Sequence, residues 1–264
     1  MNVNMTLLIV SNEIYKRLRI LWTYRMNILT QVLTVGFIFI GASYFIENGQ
    51  LNPAPLASVL LGYLLWFYAR IVIMSSSEDL MREMQAGTLE QIYMSPVSAS
   101  LLLFSRLLAL LFSTTIIVMV PMTIMALLLK IQIPVRWEGI LALAITLLGL
   151  FGFTLALSGI ALVFKQIGAL ADLVQNALLF LTGSLLPVSR FPFWLTLIAQ
   201  TLPITQGIIV LRAITLQGHS LLQVWSDGSL FWLCVNSGCY LMLGLMVFKW
   251  GERVAKMRGS IGHY

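Results

Sequence analysis

Apolar and polar positions alternate along this chain on two scales. Over residues 3–25 the scale is that of a helix: Leu7, Val10, Ile14, Leu18 and Leu21 recur at steps of three and four, while Asn12, Lys16, Arg19 and Thr23 follow the same rhythm on another face. This spacing predicts an amphipathic helix within residues 1–26. Trp22 and Tyr24 near its end suit the headgroup region, so the helix is expected to lie in the plane of a bilayer surface. Beyond it the alternation coarsens. Uncharged apolar stretches close to the ~20 residues needed to cross a bilayer recur, separated by short polar or proline-bearing segments. The expected spans are 27–46, 56–74, 101–129, 139–164, 168–186 and 229–248.

The connections carry their own signals. Glu47-Asn48-Gly49 marks a turn, Lys130 to Glu138 a short outer loop, and Lys165-Gln166 a tight inner turn. Arg70 and Arg106 fall near the inner ends of the second and third spans, from where a long side chain can snorkel to the headgroups. Pro121 offers a kink in the third span, and Gly152 with Ser158 would permit close helix packing in the fourth. Residues 187–228 are divided by Pro187, Pro192 and Pro203 yet stay apolar. Phe191 to Gln200 and Ile204 to Leu216 are each too short to cross, so an outer hairpin of re-entrant or interfacial helices is expected, with Arg212 near the water. Residues 249–264 form a basic tail.

One stretch breaks the apolar pattern outright. Glu78 to Ser98 holds four of the ten acidic residues, Glu78, Asp79, Glu83 and Glu90, between two long apolar segments. Glu78 to Ala86 favours helix, and Gly87 is a natural stop because glycine tolerates the left-handed conformation that ends helices. Thr88 with Gln91 three residues on has the capping-box spacing, Pro96 closes the turn, and Ser98 can cap the next helix. The result is a bent helical finger on a membrane face. A solvated amphipathic loop without a partner would share this composition.

Composition fixes the broad class. Of 264 residues 59% are hydrophobic and 10% charged, against about 25% charged in soluble domains. Mean hydropathy is +0.92. This is an all-α, multi-pass membrane protein. The net charge of +6 reads as basic residues gathered at span ends, not as a nucleic-acid surface. With the amino terminus inside, twelve Lys and Arg fall on cytoplasmic segments and four on outer ones, which favours both termini inside and an even number of spans. About 25 polar-to-amphipathic residues precede the first span, so no cleavable signal is expected there. Cys234 and Cys239, five apart, suit neither a disulfide nor a metal site. No Walker-type phosphate loop, HExxH helix or nucleophile elbow occurs, and the span centres lack Asp, Glu, Lys and Arg. Embedded hydrolysis and ion coupling therefore have no evident carrier, and the energy source is expected on another polypeptide.

Glu83, the run Gly87-Thr88-Leu89-Glu90-Gln91 and the close Ser95-Pro96-Val97-Ser98, placed between the second and third spans, resemble the cytoplasmic loop of ABC-2-type transporter permeases. The resemblance covers essentially the whole chain. It implies the fold of a type V ABC exporter: six transmembrane helices, an amino-terminal interfacial helix, a cytoplasmic coupling helix at 78–98 and an outer hairpin. Leu202-Pro203-Ile204-Thr205 and Leu211-Arg212 are similar to the end of the family's hairpin, with Leu202 where Asn is more usual.

The function implied is that of a permease subunit in the cytoplasmic (inner) membrane, exporting an amphiphile such as a lipid, glycolipid or hydrophobic drug. Its partners would be ABC ATPase subunits, a second permease copy or homologous permease, and membrane lipid. No cofactor would be bound by this chain, since ATP and Mg would sit on the ATPase, and it would not be an enzyme by itself. Glu78, Glu83, Gly87, Thr88, Leu89, Glu90 and Pro96 would carry the coupling. Glu83 and Glu90 would pair with basic groups on the ATPase, Gly87 would set the bend, and Leu89 would pack into its cleft. The interfacial helix would touch the ATPase too, or serve as an anchor alone.

The family places the cargo path between subunits, along the second and fifth spans. The candidates there are Tyr63, Trp66, Phe67, Asn176, Phe180 and Thr182, with Arg70 and Asp172 placed to attract charged headgroups at the inner mouth. For each path candidate, helix packing or lipid contact is the simpler account. A non-transporting scaffold that recruits a soluble partner, or an ion-coupled carrier, are the alternative functions.

Overall fold

The computed structural model describes residues 3–46, 53–85, 99–164 and 168–257, and every regular element among them is helical. Helices suit a bilayer because each satisfies its own backbone hydrogen bonds. The molecule is built around α3 (Pro53–Gln85). Of its apolar stretch 83% is buried, and Tyr63, Trp66, Phe67 and Tyr68 have almost no exposed surface. The sequence predicts an end near Met74, but α3 runs on to Gln85. Nothing stops it: no Gly or Pro intervenes, the Ser77 hydroxyl folds back onto the Ile73 carbonyl at 2.8 Å, and Ser76 pairs with Ser158 at 3.1 Å. Ser158 thereby ties α3 to the neighbouring helix by a direct hydrogen bond. Glu78 and Glu83 ride on the same rod as the buried aromatics.

Around α3 stand α1 (Val3–Thr23), α2 (Arg25–Ile46), α4 (Ala99–Leu128), α5 (Trp137–Phe164) and α6 (Gly168–Leu181). Residues 182–192 include one 3-10 turn and lead to α7 (Phe193–Thr201), then α8 (Thr205–Thr215), α9 (Leu221–Ser226) and α10 (Ser229–Met257). Helix α1 lies mainly against α4, and α2 leans on α3 through Phe39 and Tyr63, whose ring centroids are 5.3 Å apart. The most extensive contact joins α5 and α10, which run parallel. There Gly149 meets Ser237, Gly152 meets Gly244, and Gly159 meets Gly251, so the two backbones touch without side chains between them.

Among the described residues four helices, α3, α4, α5 and α10, are long and apolar enough to cross a bilayer. A fifth span is added if α7 and α8, bent by 91° at Leu202–Pro203, count as one broken crossing. Helix α2 runs through the whole of the expected 27–46, whereas α6, with 14 residues, is shorter than a full crossing requires. Helix α6 stops at Leu181, short of residue 186, because Gly183 turns the chain at φ +78°. Helix α10 overruns its expected end at 248 and takes Lys249 and Arg253 into its last turns. The rest of the basic tail, from residue 258, lies outside the described residues.

The hairpin is anchored inward. Arg212 of α8, partly buried, turns its guanidinium inward. Its Nε donates to the Ser58 carbonyl at 3.0 Å and its Nη2 to the Ser184 carbonyl at 3.2 Å, which joins α8, α3 and the chain after α6. At the other corner the Thr201 carbonyl accepts from Asn236 Nδ2 at 3.1 Å and from the Tyr240 hydroxyl at 2.9 Å. A capping box of Ser220 and Gln223 starts α9.

Candidate functional site

The polar end of α3 is braced by the amphipathic helix. Arg17 of α1 pairs with Asp79 at 2.5 Å, and Glu13 of α1 lies 3.8 Å from Arg106 of α4 and 4.0 Å from Lys16. Each interhelical pair is partly shielded: Arg17 is 21% and Glu13 15% exposed. Between α1, α3 and α4 lies a cavity of about 210 Å³ lined by Glu13, Lys16, Arg17, Asp79, Arg82 and Arg106. Its four cations exceed its two anions.

The two longest-range pairs fix α1 to both helices that flank the 78–98 segment. An exchange of charge tests this. Asp79→Arg is expected to destabilise the protein by about 1 kcal/mol, and adding Arg17→Asp to recover at least half of it in thermal unfolding. A double variant no better than the single one would reject the brace.

Of the residues expected to couple, Glu78 is exposed and pairs with Arg82 one turn on, at 3.4 Å. The backbone of Glu83 belongs to the last turn of α3. Gly87, Thr88, Leu89, Glu90 and Pro96 lie outside the described residues. Sequence reasoning gave no role to Glu13, Arg17, Asp79 or Arg106 as a group. The two partners of each interhelical pair lie some sixty or more positions apart and leave no local pattern. The one available signal was Glu13, the sole acid in a basic amphipathic helix.

Five of the six path candidates fall on α3 and α6, and Thr182 on the chain just after α6, in different surroundings. Tyr63, Trp66, Phe67 and Thr182 are buried within the chain. The Tyr63 hydroxyl donates to the Val35 carbonyl at 3.0 Å, Trp66 Nε1 to the Gln175 carbonyl at 2.8 Å, and the Thr182 hydroxyl to the Leu178 carbonyl at 2.6 Å. These contacts bind α2, α3 and α6 together. Asn176 and Phe180 lie on the outward face of α6, where Phe180 is 66% exposed, beside exposed Asp172 and Leu173. The structure thus brings the first four into the interior and leaves the last two facing outward. The other charged candidate, Arg70, stands over the Trp66 ring, 5.6 Å from its centroid.

This architecture is a membrane domain with a braced polar base. No curated protein matches the chain. The family model described as ABC-2 type transporter matches residues 6–216, from the amphipathic helix to the end of α8. With a match over well more than half its length, the chain belongs to the ABC-2 type transporter family.

Proposed function

We propose that this chain is the membrane-spanning permease subunit of an ATP-driven exporter for an amphiphile: a lipid, a glycolipid or a hydrophobic drug. Two copies, or this chain and a homologous permease, would assemble with ATPase subunits on separate chains, which hold ATP and Mg. Both termini would face the cytoplasm, as the distribution of basic residues favours.

The observation that carries the proposal is the continuity of α3. One unbroken helix leads from the aromatic interior at Tyr63 to the acidic base at Glu78 and Glu83. A push on the base cannot be absorbed by a hinge between them, so it moves the rod as a lever. Closure of the ATPase dimer supplies the push through residues 78–98. Glu83 and Glu90 meet basic groups on the ATPase, Gly87 sets the bend and Leu89 fills a cleft. The Arg17–Asp79 pair makes α1 move with the lever. The shift reaches Trp66 and its bond to α6, and through α6 the outward Asn176 and Phe180. Weakly polar and aromatic walls without fixed charge suit an amphiphile's passage.

The test combines partner capture with transport. Protein extracted in mild detergent is expected to co-purify with an ATPase whose hydrolysis one amphiphile stimulates. Gly87→Val and Glu90→Lys are expected to cut ATP-driven transport at least about tenfold, the effect of 1.4 kcal/mol of lost coupling, with membrane insertion unchanged. Wild-type transport in both variants would reject the coupling role. A complex without any ATPase would leave the scaffold or the ion-coupled carrier.

A further inference from the structure

Between α2 and α3 runs a polar groove of about 280 Å³ that the packing of the chain does not use. Its α3 wall is one helical face, from Phe67 through Arg70 and Ser75 to Glu78, and its α2 wall carries Gln31 and Thr34. Arg70 is the central feature. Among the described residues no carboxylate pairs with it and no hydrogen bond uses its five N–H donors; its one partner is the face of Trp66.

Arg70 precedes Asp79 by nine residues, which places it about 13 Å up the helix from the braced base. An unneutralised guanidinium at that depth is costly and calls for an anion. The facing helix adds a second polar group: Gln31 is exposed on α2 with no hydrogen-bond partner among the described residues, and Thr34 is exposed one turn on. In lipid such an amide loses hydrogen bonds that water would otherwise supply.

We infer that the α2–α3 groove binds the phosphate of a lipid headgroup from the cytoplasmic leaflet. The planar fork of Arg70 matches phosphate oxygens two at a time. Gln31 and Ser75 offer further donors, while the Thr34 hydroxyl already donates to the Thr30 carbonyl at 2.8 Å, so a group with several acceptor oxygens is satisfied where a single carbonyl is not. Glu78 stands eight residues, or about 12 Å, below Arg70, and its carboxylate is already paired with Arg82. It accepts from headgroup hydroxyls at the groove mouth without opposing the phosphate. Ile38, exposed one turn above Thr34, continues the groove as an apolar track for an acyl chain. The binding step holds whether or not the chain exports. Only the assignment of the bound lipid as cargo, rather than a resident phospholipid, rests on the exporter reading.

The test titrates the purified full-length protein with phosphatidylglycerol and with diacylglycerol of the same acyl chains, counting bound lipids by native mass spectrometry. Wild type is expected to prefer phosphatidylglycerol, and Arg70→Gln to lose about tenfold in its affinity, the loss of a charge-assisted pair. Arg70→Lys is expected to retain part of the preference, because it keeps the charge without the fork. Equal binding of the two lipids by wild type, or wild-type binding by Arg70→Gln, would overturn the site. So would an Arg70→Gln variant that keeps its lipid but no longer dimerises, since the missing anion would then belong to a second copy. If Arg70→Gln does not fold, Gln31→Leu with Thr34→Val carries the test on the opposite wall, and unchanged preference there overturns it equally. Loss of binding with ATP-driven transport intact assigns a resident phospholipid; loss of both assigns the cargo.

Discussion

Leucine at Gly244 is expected to eliminate folded protein, whereas leucine at Gly238, less than two turns away on the same helix, is expected to be tolerated. Both substitutions exchange glycine for a better helix former, so propensity alone would favour each by roughly 1 kcal/mol. Their surroundings differ. A β-carbon on Gly238 meets nothing within 4 Å, because that face of α10 is directed away from the protein. A β-carbon on Gly244 runs into the carbonyl oxygen and Cα of Gly152. Further down, a β-carbon on Gly159 would lie 2.6 Å from the Val247 carbonyl oxygen, and one on Gly251 would meet the Gly159 backbone.

These obstacles are backbone atoms, which cannot turn aside as side chains do. The helices must separate along their whole contact, and in lipid no hydrophobic effect between helices compensates for the lost van der Waals packing. The cost should exceed the ~1–3 kcal/mol of ordinary core overpacking. The yield of monodisperse protein in detergent and its thermal unfolding decide the point. Equal behaviour of Gly238→Leu and Gly244→Leu would show that α5 and α10 are not in backbone contact.

The second large effect is expected at Gly62. This residue leaves room for the Arg212 anchor: a β-carbon there would stand 2.6 Å from Arg212 Nη2 and 2.8 Å from the Ser184 Cα, and would strike the Ser184 carbonyl oxygen. Gly62→Val is therefore expected to drive the chain after α6 away from α3 and to release the outer hairpin, at a cost near the upper end of the ~1–3 kcal/mol range. The Arg212 guanidinium is flexible, but the Ser184 backbone is not. Arg212→Ala should then fail to rescue Gly62→Val. Rescue would mean that only the arginine tip is crowded. Arg212→Lys tests the anchor itself: it keeps the charge but not the two-carbonyl reach of the fork. Its expected loss is about 1.5–3 kcal/mol, one hydrogen bond from a charged group, measured by thermal unfolding. A stability equal to wild type would remove the two-carbonyl anchor from the account of the hairpin.

The two glycine sites show what could be read from residues alone. Gly152 is legible as a close-packing position because glycine in an apolar stretch has few other uses. Its partner Gly244 is not, since nothing in the order of residues says that the fourth span meets the last. Arg212 was expected at water for a sound reason, the cost of burying a charge. The structure overrides it by giving the guanidinium two backbone carbonyls whose helix or turn has ended nearby or left a lone pair to accept. The continuation of α3 past Met74 was obscured by three serines and an acidic run, which resemble a helix end yet do not force one.

The sequence by itself determined the class and the plan: an all-helical membrane chain, an amphipathic amino-terminal helix, an acidic stretch that breaks the apolar pattern and a proline-divided pair of short helices. Each of these is a local property, written in the spacing of apolar residues, in helix breakers and in charge. Tertiary structure alone decided which face of each helix packs inside the chain and which is left exposed. It put Tyr63, Trp66 and Phe67 in the interior, turned Asn176 and Phe180 outward, and brought Arg17 to Asp79. The physical reason lies in the solvent. In water an amphipathic stripe announces the buried side of a helix, but a bilayer is as apolar as a helix interface. The two faces of a span then carry the same residues, and only packing, one helix against another, tells them apart.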